Sequence, residues 1–88
     1  MKNKELIELI KQTLHEPRLL PGAYGRFAEK FNEKSEQKID RVTVYQWLHH
    51  RGVPPKHLGT AEALSRENAK YKKDILTSRK LRPDLYNK

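Results

Sequence analysis

The stretch Asp40–Pro55, DRVTVYQWLHHRGVPP, constrains this chain more than any other. Asp40 suits a helix N-cap, because its carboxylate accepts from the unpaired N–H groups of the first turn and sits at the positive end of the helix dipole. Apolar residues then recur at Val44, Trp47 and Leu48, the i, i+3, i+4 spacing of one buried stripe. Ile39, just before the cap, is placed to pack on Val44 as a hydrophobic staple. Gly52 and Pro54 stop the helix, since glycine accepts a left-handed backbone and proline cannot continue the turn. From Arg41 to His57 there are three cationic side chains, three histidines and no acid. A short helix with one apolar face and one acid-free polar face fits a groove lined by phosphate.

The rest of the composition agrees with that reading. Eighty-eight residues make a single domain, residues 1–88, with one modest core. Hydrophobic residues are 35% and charged residues 34%, which favours helices with one apolar stripe over a sheet and makes the expected class all-α. A net charge of +8 points to an anionic partner, nucleic acid or an acidic membrane surface. Without cysteine there is no disulfide framework and no cysteine-based zinc site. The start, MKNKELIELIKQTL, is too short and too charged for a signal peptide or a membrane span, so a soluble cytoplasmic protein is expected.

In chain order, Lys4–His15 reads as an amphipathic helix with Leu6, Ile7, Ile10 and Leu14 on one side. The interspersed Glu5, Glu8 and Glu16 argue for a core-facing helix over a membrane-surface one. Pro17 ends it, and Leu19 and Leu20 tuck a connecting loop onto the core. A second helix is expected from about Gly22–Tyr24 to Asn32, with Tyr24, Phe27, Ala28 and Phe31 inward. Ala28 permits a close helix crossing. Gly25 costs helix stability, which points to close approach of either a neighbouring helix or a phosphate. After the polar stretch NEKSEQKI and the third helix, Pro54-Pro55 open a fourth, ending near Asn68, with Leu58, Ala61 and Leu64 inward and Gly59 as an oddity. The tail, residues 70–88, has no clean period and is expected to be short, irregular or strand-like and folded back on the core.

FAEKF, VTVYQWL, RGVPPKHL and the closing TSRKLRPDLY together resemble the phage Cro/repressor helix-turn-helix group, most of all its small Cro-like, YdaS-like prophage regulators. The likeness covers roughly residues 22–86. It implies a four- to five-helix Cro/repressor-like domain whose helix-turn-helix occupies about residues 22–51. Ala28 then sits at the tight crossing, with Val44 and Trp47 beneath the second helix. Two departures stand out. Ala28 to Val44 spans 16 positions, about six more than the family's short turn allows, so Glu33–Lys38 is expected to bulge outward. The segment Glu67–Ile75 is also longer and lacks the family's glycines.

The resemblance implies sequence-specific binding of double-stranded DNA by a transcriptional repressor that occupies an operator, in a bacterial cytoplasm and at the nucleoid when bound. In such a motif the second helix reads base edges and the first meets the backbone. The outward residues Arg41, Val42, Tyr45 and Gln46 are then the base readers: Arg41 toward guanine, Gln46 toward adenine, Val42 toward a thymine methyl. His49 lies at the far end of that face. Tyr24, Arg26, Lys34, Lys38, Thr43, Arg51 and Lys56 are the expected backbone contacts. A weak homodimer, strengthened on DNA, would pair through Ile75–Tyr86 unless those residues cover their own core. His49, His50 and His57 lack a nearby carboxylate, so no metal site is expected; they sense pH or touch phosphate. No catalytic constellation and no cofactor motif is present, so no enzyme is expected. Two other readings remain: a basic protein-interaction module using Tyr45 and the tail cations Lys70, Lys72, Lys73, Arg79, Lys80 and Arg82, and an excisionase-like factor that bends DNA.

Overall fold

A computed structural model describes residues 3–50 and 52–86. Arg51, expected at the DNA backbone, lies outside the described residues. The described residues are helical with no strand, and among them no helix is long and apolar enough to cross a membrane.

Helix α1 (Lys4–Leu14) starts at Asn3, whose Oδ1 accepts from the Leu6 N–H at 2.9 Å, and ends at His15 in the left-handed region (φ 56°). Its buried residues are Leu6, Leu9, Ile10 and Thr13, while the expected Ile7 and Leu14 sit at the margin. The stripe is wider and turned relative to the spacing because α1 is packed from two sides, by α2 (Ala23–Lys34) and by α4 (Pro55–Asn68). Helix α2 buries Ala23, Phe27, Ala28 and Phe31 and runs two residues beyond the expected Asn32. Tyr24 is only partly buried. Helix α3 (Arg41–His49) rests mainly on α2 through Val44, Trp47 and Leu48.

The α2–α3 connection is residues 35–40, shorter than a bulge starting at Glu33, because Glu33 and Lys34 stay helical. The Asn32 amide clamps its far end, donating to the Ile39 carbonyl and accepting the Ile39 N–H, both at 2.8 Å. Lys38 Nζ donates to the Asn32 carbonyl at 2.8 Å, capping the end of α2. Glu36, Gln37 and Lys38 remain exposed, so the connection does face outward. In α4, His57, Leu58, Ala61, Leu64 and Ser65 are buried, and a side chain at Gly59 would meet only open space.

The tail is helical where an irregular or strand-like segment was expected. A 3-10 turn at Lys72–Asp74 is followed by α5 (Ser78–Leu81) and α6 (Pro83–Tyr86). Its register is set by buried polar side chains that short-range periodicity does not register. Ser65 Oγ accepts the Leu76 N–H at 2.7 Å and donates to Gln12 Oε1 at 2.8 Å, while Gln12 Nε2 donates to the Asp74 carbonyl at 2.7 Å. Glu62 Oε1 accepts from the backbone N–H and hydroxyl of Ser78, and the Arg66 side chain, followed by these bonds, holds its carboxyl below the usual range. Leu76 and Leu81 are buried, with Leu85 packed at the core edge. Of the segment expected to pair two copies, Leu76, Leu81 and Leu85 thus cover the core of their own chain, while Tyr86 stays exposed. Arg82, expected among the available tail cations, is only 5% exposed. Its Nη1 donates to the Val53 carbonyl at 2.9 Å, and its Nε and Nη2 form a fork on the Asp84 carboxylate at 2.9 Å each.

Candidate nucleic-acid interface

Helix α3 is held at its start, its finish and its underside. At the start, Asp40 Oδ1 accepts from the Thr43 N–H and hydroxyl at 3.0 Å each, and these bonds keep the Asp40 carboxyl below its ordinary range. At the finish, Gly52 takes φ +92°, a backbone conformation costly for a side chain-bearing residue. A Cβ there would lie 2.6 Å from Asn3 Nδ2 and 3.3 Å from Arg82 Cδ. The Asn3 N–H also donates to the Leu48 carbonyl at 3.2 Å. Both ends of the chain therefore close on the exit of α3. Beneath the helix, the Trp47 ring meets Phe31 edge-on at 5.6 Å and His57 at 5.3 Å. Burial lowers the His57 pKa, and the neighbouring Lys56 charge lowers it further.

The outward side of α3 presents the four expected base readers together: Arg41, Val42, Tyr45 and Gln46 are all exposed, Val42 and Tyr45 by 53% and 52%. The Tyr45 ring lies 4.2 Å from the His49 ring and 6.2 Å from Tyr24, making an aromatic row along this side. Beside it runs an open, mostly apolar groove of about 540 Å³, lined by Leu19, Leu20, Pro21, Tyr24, Val42 and Tyr45, with Arg41 at its rim. Gly25 lines the same groove, and a Cβ there would meet nothing within 4 Å. Of the two approaches expected at Gly25, a neighbouring helix or a phosphate, the helix is absent; the glycine borders open space. Periodicity gave no hint of the groove, since Leu19 and Leu20 carry no repeating signal that turns one of them outward.

The expected backbone contacts divide. Lys56 is exposed at the start of α4, and Tyr24 borders the groove. Thr43 is half-buried and engaged in the Asp40 cap. Three cations are occupied within the molecule: Arg26 pairs with Glu16 and donates to the Pro21 carbonyl, Lys34 pairs with Glu67, and Lys38 caps α2. The Arg26–Glu16 and Lys34–Glu67 pairs join different elements, 10 and 33 residues apart, so helical spacing did not reveal them. The histidines separate: His57 is in the core against Phe31 and Trp47, which removes it from phosphate, while His49 and His50 lie outside it. Among the described residues, no group of three His, Cys, Asp or Glu side chains is placed to hold a metal ion.

The arrangement is a short helix with a firm underside and an outward face of one guanidinium, one carboxamide and two apolar or aromatic side chains. That set can donate to base edges, contact a methyl group and accept a phosphate neighbour, and it carries no acid within the helix itself. Comparison with family models, with curated proteins and with solved structures yielded no match.

Proposed function

We propose that this chain binds double-stranded DNA sequence-specifically through a Cro-like helix-turn-helix formed by α2 and α3, and that it represses transcription by occupying an operator. The observation carrying this reading is the joint exposure of Arg41, Val42, Tyr45 and Gln46 on a helix pinned from below by Val44, Trp47 and Leu48. The N-terminal half of α3 enters the major groove, with Arg41 on guanine O6 and N7 and Gln46 on adenine N6 and N7, each worth about 1–3 kcal/mol of discrimination. Val42 and the groove beside it receive thymine methyl groups. Lys56, Tyr24 and the open edge at Gly25 meet phosphate. Arg26, Lys34 and Lys38 join them by exchanging their internal partners, Glu16, Glu67 and the Asn32 carbonyl, of which the exposed Lys34–Glu67 pair holds by only about 0–1 kcal/mol. Two copies on half-sites roughly 34 Å apart complete the complex. Their pairing is weak off DNA, because the tail's leucines already cover the core.

Selection of bound oligonucleotides from a random pool tests the proposal. Enrichment of a two-fold symmetric motif is expected, and recovery of unselected sequence would refute base reading. On the selected site, Gln46→Ala should erode preference between sequences, whereas Lys56→Ala should weaken all sequences alike. Replacing contacted thymines by uracil should weaken binding about fourfold for each methyl removed, the equivalent of ~0.8 kcal/mol. A second reading, a protein-interaction module, draws on the apolar groove beside α3. It predicts that variants of Tyr45 leave DNA binding untouched.

A further inference from the structure

We infer that the C-terminal tail carries a second, sequence-independent nucleic-acid surface, formed by Lys70, Lys72, Lys73 and Arg79 around the exposed rings of Tyr71 and Tyr86. It is independent of what α3 reads. Residues 70–82 hold six cations against one acid, Asp74. Arg82 is buried, but Lys70, Lys72, Lys73, Arg79 and Lys80 are exposed and, among the described residues, form no ion pair. Elsewhere Lys11, Arg26, Lys34 and Arg66 each lie against a glutamate. Lys4, Arg18, Lys30, Arg41 and Lys56 are exposed and, among the described residues, form no ion pair either, but they are scattered along the chain, whereas the tail gathers five such cations within eleven residues.

The cluster is one surface, not two. Lys80 Nζ donates to the carbonyls of Lys73 and Ile75 at 3.4 and 3.2 Å, which ties α5 to the 3-10 turn and its Lys72–Lys73 pair. Lys70 and Lys73 hold their ammonium groups 5.7 and 5.8 Å from the Tyr71 ring centre, and the Arg79 guanidinium lies 5.1 Å from that of Tyr86. Tyr71 is 56% exposed. The bonds from Gln12, Glu62 and Ser65 fix this segment to α1 and α4, whereas α3 rests on α2. The two surfaces stand on different parts of the scaffold.

The chemistry selects the partner. Leu76 and Leu81 turn inward and Ile75 is half-buried, so the surface offers cations and phenol rings but no aliphatic centre of the kind protein interfaces bury. A phosphate backbone requires only fixed positive charge, and exposed rings add contacts to sugar or base that do not depend on sequence.

Binding to a random-sequence duplex at several salt concentrations tests this with four proteins: the wild type, Lys72→Gln/Lys73→Gln/Arg79→Gln, the charge-matched control Lys4→Gln/Lys11→Gln/Lys30→Gln, and Arg41→Ala/Gln46→Ala. The tail variant should bind at least tenfold more weakly than the control, with the salt slope reduced by about 2–3, near 0.9 for each phosphate no longer neutralised. A tail variant equal to the control overturns the proposal, as does one that loses an acidic peptide probe while keeping DNA. The Arg41→Ala/Gln46→Ala protein, compared on this duplex and on the oligonucleotide selected by the wild type, separately reports on α3: if it keeps the wild-type preference for the selected site, base reading by α3 fails while the result for the tail stands.

Discussion

At the scale of single residues, Gly52 and Arg82 are the positions where a small change reaches furthest. Gly52 combines a left-handed backbone with a close approach to Asn3 and Arg82. Gly52→Ala should therefore cost about 1–2 kcal/mol from the backbone alone, and more if the Asn3 amide is pushed off the start of α1. Urea denaturation followed by the emission of Trp47, the chain's single tryptophan, measures it. Arg82→Met retains the stem but leaves the Val53 carbonyl without its donor, an expected loss of about 1–3 kcal/mol in the same assay. The glycine's role was visible in the sequence as a helix stop. The arginine's was not, because in LRPD it looks like any tail cation until the fold brings Val53, 29 residues earlier, against it.

Among the elements, the α3–α4 packing depends on a neutral imidazole. His57 is buried between Phe31 and Trp47, and its pKa lies below the ordinary value of 6.5. A lowered folded value means the unfolded chain binds the proton more tightly, so His57 contributes its full stability above about pH 6.5 and loses it as pH falls through the folded value. Lys56 is the charged neighbour that strengthens the shift. The midpoint of urea unfolding should therefore fall between pH 7.5 and 5. His57→Phe should flatten part of that fall, and since the two proteins differ only at this position, the difference isolates His57. No smaller pH dependence in the variant would show that the imidazole is not kept neutral. Asp40 acts in the same direction at lower pH: its contribution to α3 is full above about pH 3.8 and is lost as pH falls through its lowered folded value. Helices α1 to α4 were legible from apolar spacing, prolines and the Asp40 cap to within about two residues. The tail's helical turns were not, because four-residue helices are too short to show a period and are held by Glu62, Ser65 and Gln12 from other helices.

For the whole molecule, the tail is part of the core, not an appendage. Leu81 is 1% exposed, and Leu81→Ala should cost about 2–5 kcal/mol, a thermal midpoint lower by roughly 8 °C or more. If Leu81→Ala melts like the wild type, the tail does not close the core in solution. The count of 19 lysines and arginines overstates what is free to meet DNA, since Arg82 is buried and Arg26, Lys34 and Lys38 must first exchange internal partners. The salt dependence of binding should accordingly reflect fewer neutralised phosphates than the 19 lysines and arginines would allow.

The sequence by itself determined the helical class, the apolar stripe beneath α3 and the outward direction of Arg41, Val42, Tyr45 and Gln46, because those follow from spacing within one helix and from capping within one turn. Only the tertiary structure decided which cations stay available, where Gly25 and the leucines of the first loop form an open groove, and how the tail closes over the core. Each of those depends on a partner well beyond one helical turn in sequence, or on open space, and local periodicity carries information about neither.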